Sequence, residues 1–554
     1  MLAVLAYAKG TAEPYLIPDD ARQYVFWMHR FVDRDLFTDD LIADYFQSVS
    51  PTGFVWLYRG AAFLGLSPLL FNQLLPAILF VLTAALTFLT CFELCAMPAA
   101  GFAASLLLAQ SVGFTSAVAS GTPKAFVYGL TLLFLYGWLR RSCGLSWLAI
   151  VLQGLLQPQT VLISSGLLVL GLIDRQEGRW RLNSDRALWI LTLGGLAIST
   201  AVILQYALSS SGFGPTLTAA EAHTMPEFYA GGRNKFFRPD PWDFLLHGRS
   251  GLRLDAAFTP VTNLLALALP ALLRAPKRFP LAASVRPGIS ILPKLALTSA
   301  FWFTAAHMLL FKLHLPNRYT GRYLLILFVL ATGITVVILI DALLQGAIQG
   351  LTQPAGRVNQ LWGWIPAALK AAAAAALASV LILYPLTFPG FPKTSLAQGT
   401  QPDLYRFFES QPKDSLIASL SAETSNLPNF ARRSVLVSPE VTIPYHVGYY
   451  RAIQQRVRDL LVAQYSPDPG DLRAVITRYG ITHWLLQADA FNLWTLNGNR
   501  WLQQYQPEAG NASSVLATGQ RPVLLNLGDR CAVFASADYQ VLDAQCLLAA
   551  IDPA

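Results

Sequence analysis

Apolar runs of spanning length recur along the chain, separated by short basic loops and by long polar ones. After an apolar remnant at 1–8 they occupy 68–92, 98–118, 123–139, 144–173, 187–209, 256–273, 294–311, 322–345 and 363–386. A run of about 20 apolar residues crosses the hydrocarbon core as a helix. The run 144–173 is broken near its middle by Gln157-Pro158-Gln159, so it reads as one kinked helix or as a hairpin of two short ones. Charge chooses between them. Arg140 and Arg141 precede it, and Arg175, Arg179, Arg181 and Arg186 follow it. Under the positive-inside rule both flanks share the cytoplasmic side, and the run is expected to cross twice. That makes about eleven helices, counting the remnant, which is too short to span alone and reads as part of a first helix. The same rule places Arg274, Lys277, Arg278, Arg286, Lys294 and Arg357 inside. The loops 9–67 and 210–255, and everything after about 387, then lie outside.

From about residue 395 the pattern changes to short alternating segments. The stretches 415–420, 434–438, 482–487, 522–527 and 531–536 read as strands, and 451–465, 470–479 and 538–549 as helices. The expected fold class is a polytopic α-helical membrane protein (residues 1–390) with an extracytoplasmic α/β domain (391–554).

Composition agrees. The 554 residues are 54% hydrophobic and 13% charged, where a soluble protein carries about a quarter charged residues. The net charge of +8 is no nucleic-acid footprint, because the basic residues sit in short loops where they set topology. Cys91, Cys95 and Cys143 fall on the cytoplasmic side and read as packing residues. Cys531 and Cys546 fall outside, where a disulfide suits an oxidising compartment. It would close a loop of about 15 residues, worth about 3 kcal/mol in the chain-entropy model.

Candidate chemistry concentrates in the first loop. Between Pro18 and Tyr58 lie seven aspartates, Asp19, Asp20, Asp33, Asp35, Asp39, Asp40 and Asp44, interleaved with aromatic residues. This mixture suits short amphipathic helices on a membrane surface that turn their charges to a cavity. The adjacent pair Asp19–Asp20 follows the first apolar segment directly. A second signal is the short outside loop KLHLPNRYTGR, with Lys312, His314, Arg318 and Arg322. Basic residues there run against the topology bias, which an anionic ligand such as a lipid phosphate would offset; otherwise they snorkel to headgroups. The loop 210–255 adds His223, Arg233, Lys235, Arg238, His247, Arg249 and Arg253 as a less specific signal. His446 and His483 read as structural. Arg432, Arg433, His446, Tyr449 and Tyr450 are placed to cap the membrane site.

These features together resemble the GT-C superfamily of integral-membrane glycosyltransferases. A first helix ends just before an acidic pair, a long first loop of amphipathic helices follows, and YFQSVSPTGFVWLY looks like the aromatic–Pro–aromatic run of the aminoarabinose- and mannosyltransferase branches. The resemblance implies sugar transfer from a polyprenyl-phosphate carrier to a glycan, lipid or protein acceptor on the extracytoplasmic side of a bacterial-type plasma membrane. It puts a catalytic base or metal ligand on Asp19 or Asp20. It puts substrate binding on Arg59, His314, Arg318 and Arg322, and allows a divalent cation without requiring one. Relatives often carry Lys beside the Pro of that run, where this chain has Ser50. The departure keeps a second reading open, an inactive relative acting as a binding or assembly partner. A transporter of lipid-linked material is the third. It is disfavoured because Glu93 and Asp341 lie near span ends and no internal repeat is visible.

Overall fold

The computed structural model describes residues 7, 13–176, 179–208, 212–352, 365–387, 391–392 and 394–551. The apolar remnant at 1–8, apart from Tyr7, and Arg357 lie outside the described residues.

The first loop opens with strand β1 (Leu16–Pro18), followed by α1 (Ala21–Tyr24), α2 (Leu41–Val49) and α3 (Thr52–Phe63). The helical body then comprises α4 (Pro68–Leu94), α5 (Pro98–Gln110), α6 (Val112–Ala119), α7 (Val127–Leu139), α8 (Cys143–Leu156), α9 (Thr160–Gly171), α10 (Arg186–Leu208), α11 (Ile291–Met308), α12 (Gly321–Thr352) and α13 (Ile365–Leu383), with the antiparallel pair β2 (Ile173–Gln176) and β3 (Arg179–Leu182) between α9 and α10. Among the described residues, five helical segments are long and apolar enough to cross a membrane; a sixth is obtained if α5 and α6, bent by 66°, count as one span. The protein is therefore an integral membrane protein by its helices, with fewer continuous spans than the eleven expected.

The difference has a local cause. Hydropathy counts apolar residues, whereas a span needs an unbroken helix. The run 144–173 does break at Gln157–Gln159, but α8 and α9 have 14 and 12 residues, roughly 20 Å each at 1.5 Å per residue, short of the roughly 30 Å hydrocarbon core. The run 256–273 forms a 3-10 segment, Val261–Ala268, and a five-residue helix, Leu269–Leu273, bracketed by Pro260 and Pro270. The run 123–139 begins as a 3-10 turn at Pro123–Phe126.

Charged residues of the short loops gather at one end of this body. Glu93, at the C-terminal end of α4, pairs with Arg286 at 3.0 Å and Arg140 at 3.8 Å, and Arg141 pairs with Asp185. The N-terminal end of α4 meets the first loop, where Asn72 donates to the Tyr58 hydroxyl at 2.9 Å and Tyr58 to the Gly121 carbonyl at 3.0 Å.

Residues after 394 build β4 (Leu396–Gln398), β5 (Leu416–Ala418), β6 (Ser434–Val435), α14 (Val447–Tyr465), α15 (Pro469–Tyr479), β7 (His483–Gln487), α16 (Leu493–Gly498), α17 (Val523–Cys531), β8 (Ala532–Ala535), β9 (Tyr539–Asp543) and α18 (Ala544–Ile551). Five strands form one sheet in the order β6-β5-β7-β9-β8, parallel from β6 to β7 and antiparallel beyond. Two local expectations fail. Residues 522–527 belong to helix α17, whose buried Leu524, Gly528 and Cys531 recur at helical spacing behind a starting proline. The stretch 538–549 is β9 followed by α18. The expected disulfide Cys531–Cys546 is formed and ties α17 to α18.

The largest departure concerns the first loop. It does fold into short helices, but many of their aromatic residues turn into a protein core. Phe26, Trp27, Tyr45, Phe46 and Tyr58 are buried in one continuous core with Tyr405, Phe408, Tyr449 and Trp484 of the C-terminal region. β1 pairs antiparallel with β4. Tyr45 stacks on Tyr449 with centroids 3.7 Å apart, and its hydroxyl meets His446 Nδ1 at 2.9 Å. The second loop joins the same assembly. Leu217 N–H donates to Tyr445 O and Val447 N–H to Pro215 O. The backbones approach so closely that a Cβ on Gly448 would stand 2.5 Å from Phe213 O, a contact that only glycine permits.

Candidate functional site

The two carboxylates of the acidic pair face one cleft of about 110 Å³, lined by Pro18, Asp19, Asp20, Ser116, Lys124 and Ser395. β1 delivers them there, and Asp19 N–H donates to Ser395 O at 3.1 Å. Each carboxylate has a cation of its own. Asp20 pairs with Lys124 Nζ, and Asp19 with the Arg22 guanidinium. Arg22 also reaches Glu440 Oε2 at 3.0 Å and Asn426 Oδ1 at 3.2 Å. Glu440 is buried, accepts from Gln23 Nε2 at 2.7 Å, and pairs with Arg233 of the second loop. Burial raises the Glu440 pKa, and the guanidinium groups of Arg233 and Arg22 pull it back. Asp19, Arg22, Glu440 and Arg233 thus form one alternating chain of charges.

A second cluster, within electrostatic reach of Lys124, carries one sign. Arg318 ends the 3-10 turn Pro316–Arg318, and Arg322 stands four residues on, at the start of α12, a spacing that places both on one helical face. Arg318 lies within electrostatic reach of Arg322, Arg249, Tyr445 and Tyr24. Both arginines act on Lys124. Arg249 donates to the Tyr445 hydroxyl at 3.2 Å. Among the described residues, neither Arg318 nor Arg322 has a carboxylate partner, although both are half-buried. Burial first, then Arg318 and Arg322, push the Lys124 ammonium pKa down, while Asp19 opposes them. Half-buried guanidinium groups held together without an anion are costly. Their fork of donors matches the oxygens of a phosphate or carboxylate.

The structure brings together five of the six residues singled out from sequence. Asp19 and Asp20 line the cleft with Lys124, and Arg318, Arg322 and His314 lie within electrostatic reach of one another, the two arginines also within reach of Lys124. His314 has a left-handed backbone, φ 63°, and its ring packs 5.3 Å from that of Tyr445. Burial, with Arg318 and Arg249 beside it, pushes its pKa down to about 3, so at neutral pH it is an uncharged ring. Arg59 stands apart. It is exposed on α3 with its guanidinium 5.0 Å above the Phe31 ring, and no interaction among the described residues links it to the cluster. The expected cap is also different. Arg433 donates to the carbonyls of Glu409, Gln411 and Arg432, and Arg432 pairs with Glu409, so both brace the C-terminal region. Tyr445 is the residue that reaches the cationic cluster.

Sequence reading missed Lys124, Arg22 and Glu440. Lys124 had a visible signal, being the sole charged residue between Glu93 and Arg140, and an ionisable residue in such a stretch marks function by default. Glu440 had none. The allowed divalent cation finds no fitting ligand set. Among the described residues, no group of three or more His, Cys, Asp or Glu side chains could hold a metal ion, and Asp19 and Asp20 already hold cations.

No family model and no curated protein matches the chain. Solved structures do. The archaeal oligosaccharyltransferase AglB from Archaeoglobus fulgidus, in complex with an inhibitory peptide and a dolichol-phosphate, aligns with 96% of this chain and 71% of its own at 12% identity and a TM-score of 0.50. The mycobacterial arabinofuranosyltransferase AftD aligns with 88% of this chain and 35% of its own at 14% identity and a TM-score of 0.43. The alignment with AglB spans nearly the whole of this chain, which has a GT-C-like fold.

Proposed function

We propose that this protein is a membrane glycosyltransferase that takes a sugar from a polyprenyl-phosphate carrier and passes it to a glycan, lipid or protein acceptor. The observation that carries the reading is the half-buried pair Arg318–Arg322, without a carboxylate partner among the described residues, whose charges reach Lys124 in the cleft of Asp19 and Asp20. AglB in its complex holds a dolichol-phosphate, a ligand of the same chemistry. In this reading Arg318 and Arg322, with Arg249 and Lys124 beside them, hold the carrier phosphate. The acceptor oxygen attacks the anomeric carbon. The bond from that carbon to the phosphate oxygen breaks, and its electron pair leaves on the phosphate, where the guanidinium groups stabilise it. Asp19 or Asp20 takes the acceptor proton.

The grouping of Glu93, Arg140 and Arg286 at one end of the body supports a cytoplasmic side there. The cleft and the region after about 390 then face outward from a bacterial-type plasma membrane, with residues 1–390 as the membrane part. The second reading, a binding or assembly partner without turnover, is favoured by one observation: both carboxylates already carry cations.

The test is a thermal-shift titration of the full chain in lipid nanodiscs with polyprenyl phosphate. Saturable stabilisation that Arg318→Ala/Arg322→Ala loses is the expected result, and no stabilisation by any carrier length overturns the donor assignment. Sugar-transfer assays with Asp19→Asn and Asp20→Asn then separate turnover from binding alone.

A further inference from the structure

A second cavity, remote in sequence from the cationic cluster, opens at the sheet. β5 and β7 run parallel as neighbours, with Ala418 opposite Trp484, so their carboxyl ends emerge side by side. In open α/β sheets that edge is where ligands bind. Here it holds a cavity of about 300 Å³ lined by residues that follow β5 and β7 and by α16, at the lower end of the size of small-molecule sites.

The lining has a distinct chemistry. Gln487, Asp489 and Asn499 contribute planar polar groups, Ser421 and Thr495 hydroxyls, and Trp494 an indole. Trp494 is 82% exposed, in a region where other large aromatics such as Trp484 are buried. Several groups keep unused hydrogen-bonding capacity among the described residues. Asn499 Oδ1 accepts from the backbone N–H groups of Trp501 and Leu502, which leaves its amide hydrogens to donate. Asp489 Oδ2 accepts from Thr495, and the Gln487 amide has no side-chain partner. Asp489 is the sole charged residue in the lining, which disfavours phosphate and carboxylate ligands.

We infer that this cavity is a carbohydrate-binding site for a neutral sugar unit, separate from the cleft of Asp19 and Asp20. A pyranose or furanose has one face of C–H bonds and a rim of adjacent hydroxyls. The C–H face suits the negative face of an indole. Side-chain carboxylates and amides bridge neighbouring hydroxyls with two hydrogen bonds, which fixes orientation. The inference stands whether or not the membrane cleft transfers sugar. If it does, this site holds a glycan by a part distant from the reacting end.

The experiment uses the full chain in nanodiscs with a panel of neutral pentose, hexose and N-acetylhexosamine mono- to tetrasaccharides, read by saturation-transfer NMR and by microscale titration. At least one glycan binds the wild type saturably. Trp494→Ala, whose ring is too exposed to hold the fold together, weakens it roughly tenfold or more, and Gln487→Ala weakens it independently. Arg318→Ala/Arg322→Ala leaves it unchanged, which distinguishes this site from the donor cleft. No binding across the panel, or binding lost in the arginine variant and kept in Trp494→Ala, overturns the inference. Quenching of tryptophan fluorescence by brominated lipid that disappears in Trp494→Ala also overturns it, because the indole would then be a membrane anchor.

Discussion

Two charge clusters that meet at Lys124 balance their charge differently. In one, Asp19 and Asp20 meet Arg22 and Lys124, and the chain of pairs runs on to Glu440 and Arg233. In the other, Arg318 and Arg322 stand together beside Arg249, with no carboxylate partner among the described residues. The first cluster is paired throughout and ties the first loop, the second loop and the C-terminal region together. The second carries like charges only. Structural charge is paired internally; charge kept for a ligand is left open at a cost in stability.

The comparison breaks most visibly at the arginine cluster. Replacing Arg318 and Arg322 by Ala removes two charge-assisted contacts worth about 1.5–3 kcal/mol each, so polyprenyl-phosphate affinity should fall by at least about 100-fold. The thermal midpoint of the ligand-free protein should hold or rise, because two mutually repelling half-buried cations are gone. A large drop in that midpoint would mean that the pair is structural. At the paired cluster the signs reverse. Glu440→Ala leaves Arg233 without its carboxylate and Arg22 with Asp19 alone and should cost about 3 kcal/mol of stability, read as a lowered midpoint with or without ligand.

His314 gives a smaller, pH-dependent effect. Its folded pKa lies at about 3, below the ordinary value near 6.5. The unfolded chain therefore binds a proton there first as pH falls, and stability drops progressively below pH 6.5. His314→Gln should flatten the loss between pH 6.5 and 5 by about 1 kcal/mol, leaving the contribution of His29, also pushed down by burial, to about 4. Carrier affinity at pH 7 should change little, since the wild-type ring is already neutral. Arg59→Ala should have the smallest effect, less than about twofold on binding, because an exposed cation–π contact is worth about 0.5 kcal/mol.

Much of the site was legible before the structure. Arg318 and Arg322 stood out because basic residues in a short outside loop violate a topological bias, and Asp19–Asp20 because acids are scarce elsewhere. Arg59 was singled out only by the resemblance and lies apart, since the sequence shows that a charge is near the aromatic run but not which way α3 turns it. Lys124 was hidden by counting 123–139 as one span. Glu440 was hidden because nothing around it marks a lone glutamate 400 residues from Arg22 as its partner.

What the chain determines by itself is what local physics enforces: the apolar segments, the switch to strands near residue 395, the break at Gln157–Gln159, the disulfide within one compartment. What only the tertiary structure decides depends on distant chain segments meeting. The aromatic first loop reads as a membrane-surface element because its composition satisfies lipid and protein cores equally well. Only the docking of β1 on β4, and of Tyr45 on Tyr449, shows that a protein core claims it. The pairing of each carboxylate, and the lack of a carboxylate partner for Arg318 and Arg322 among the described residues, are likewise relations that no window of sequence contains.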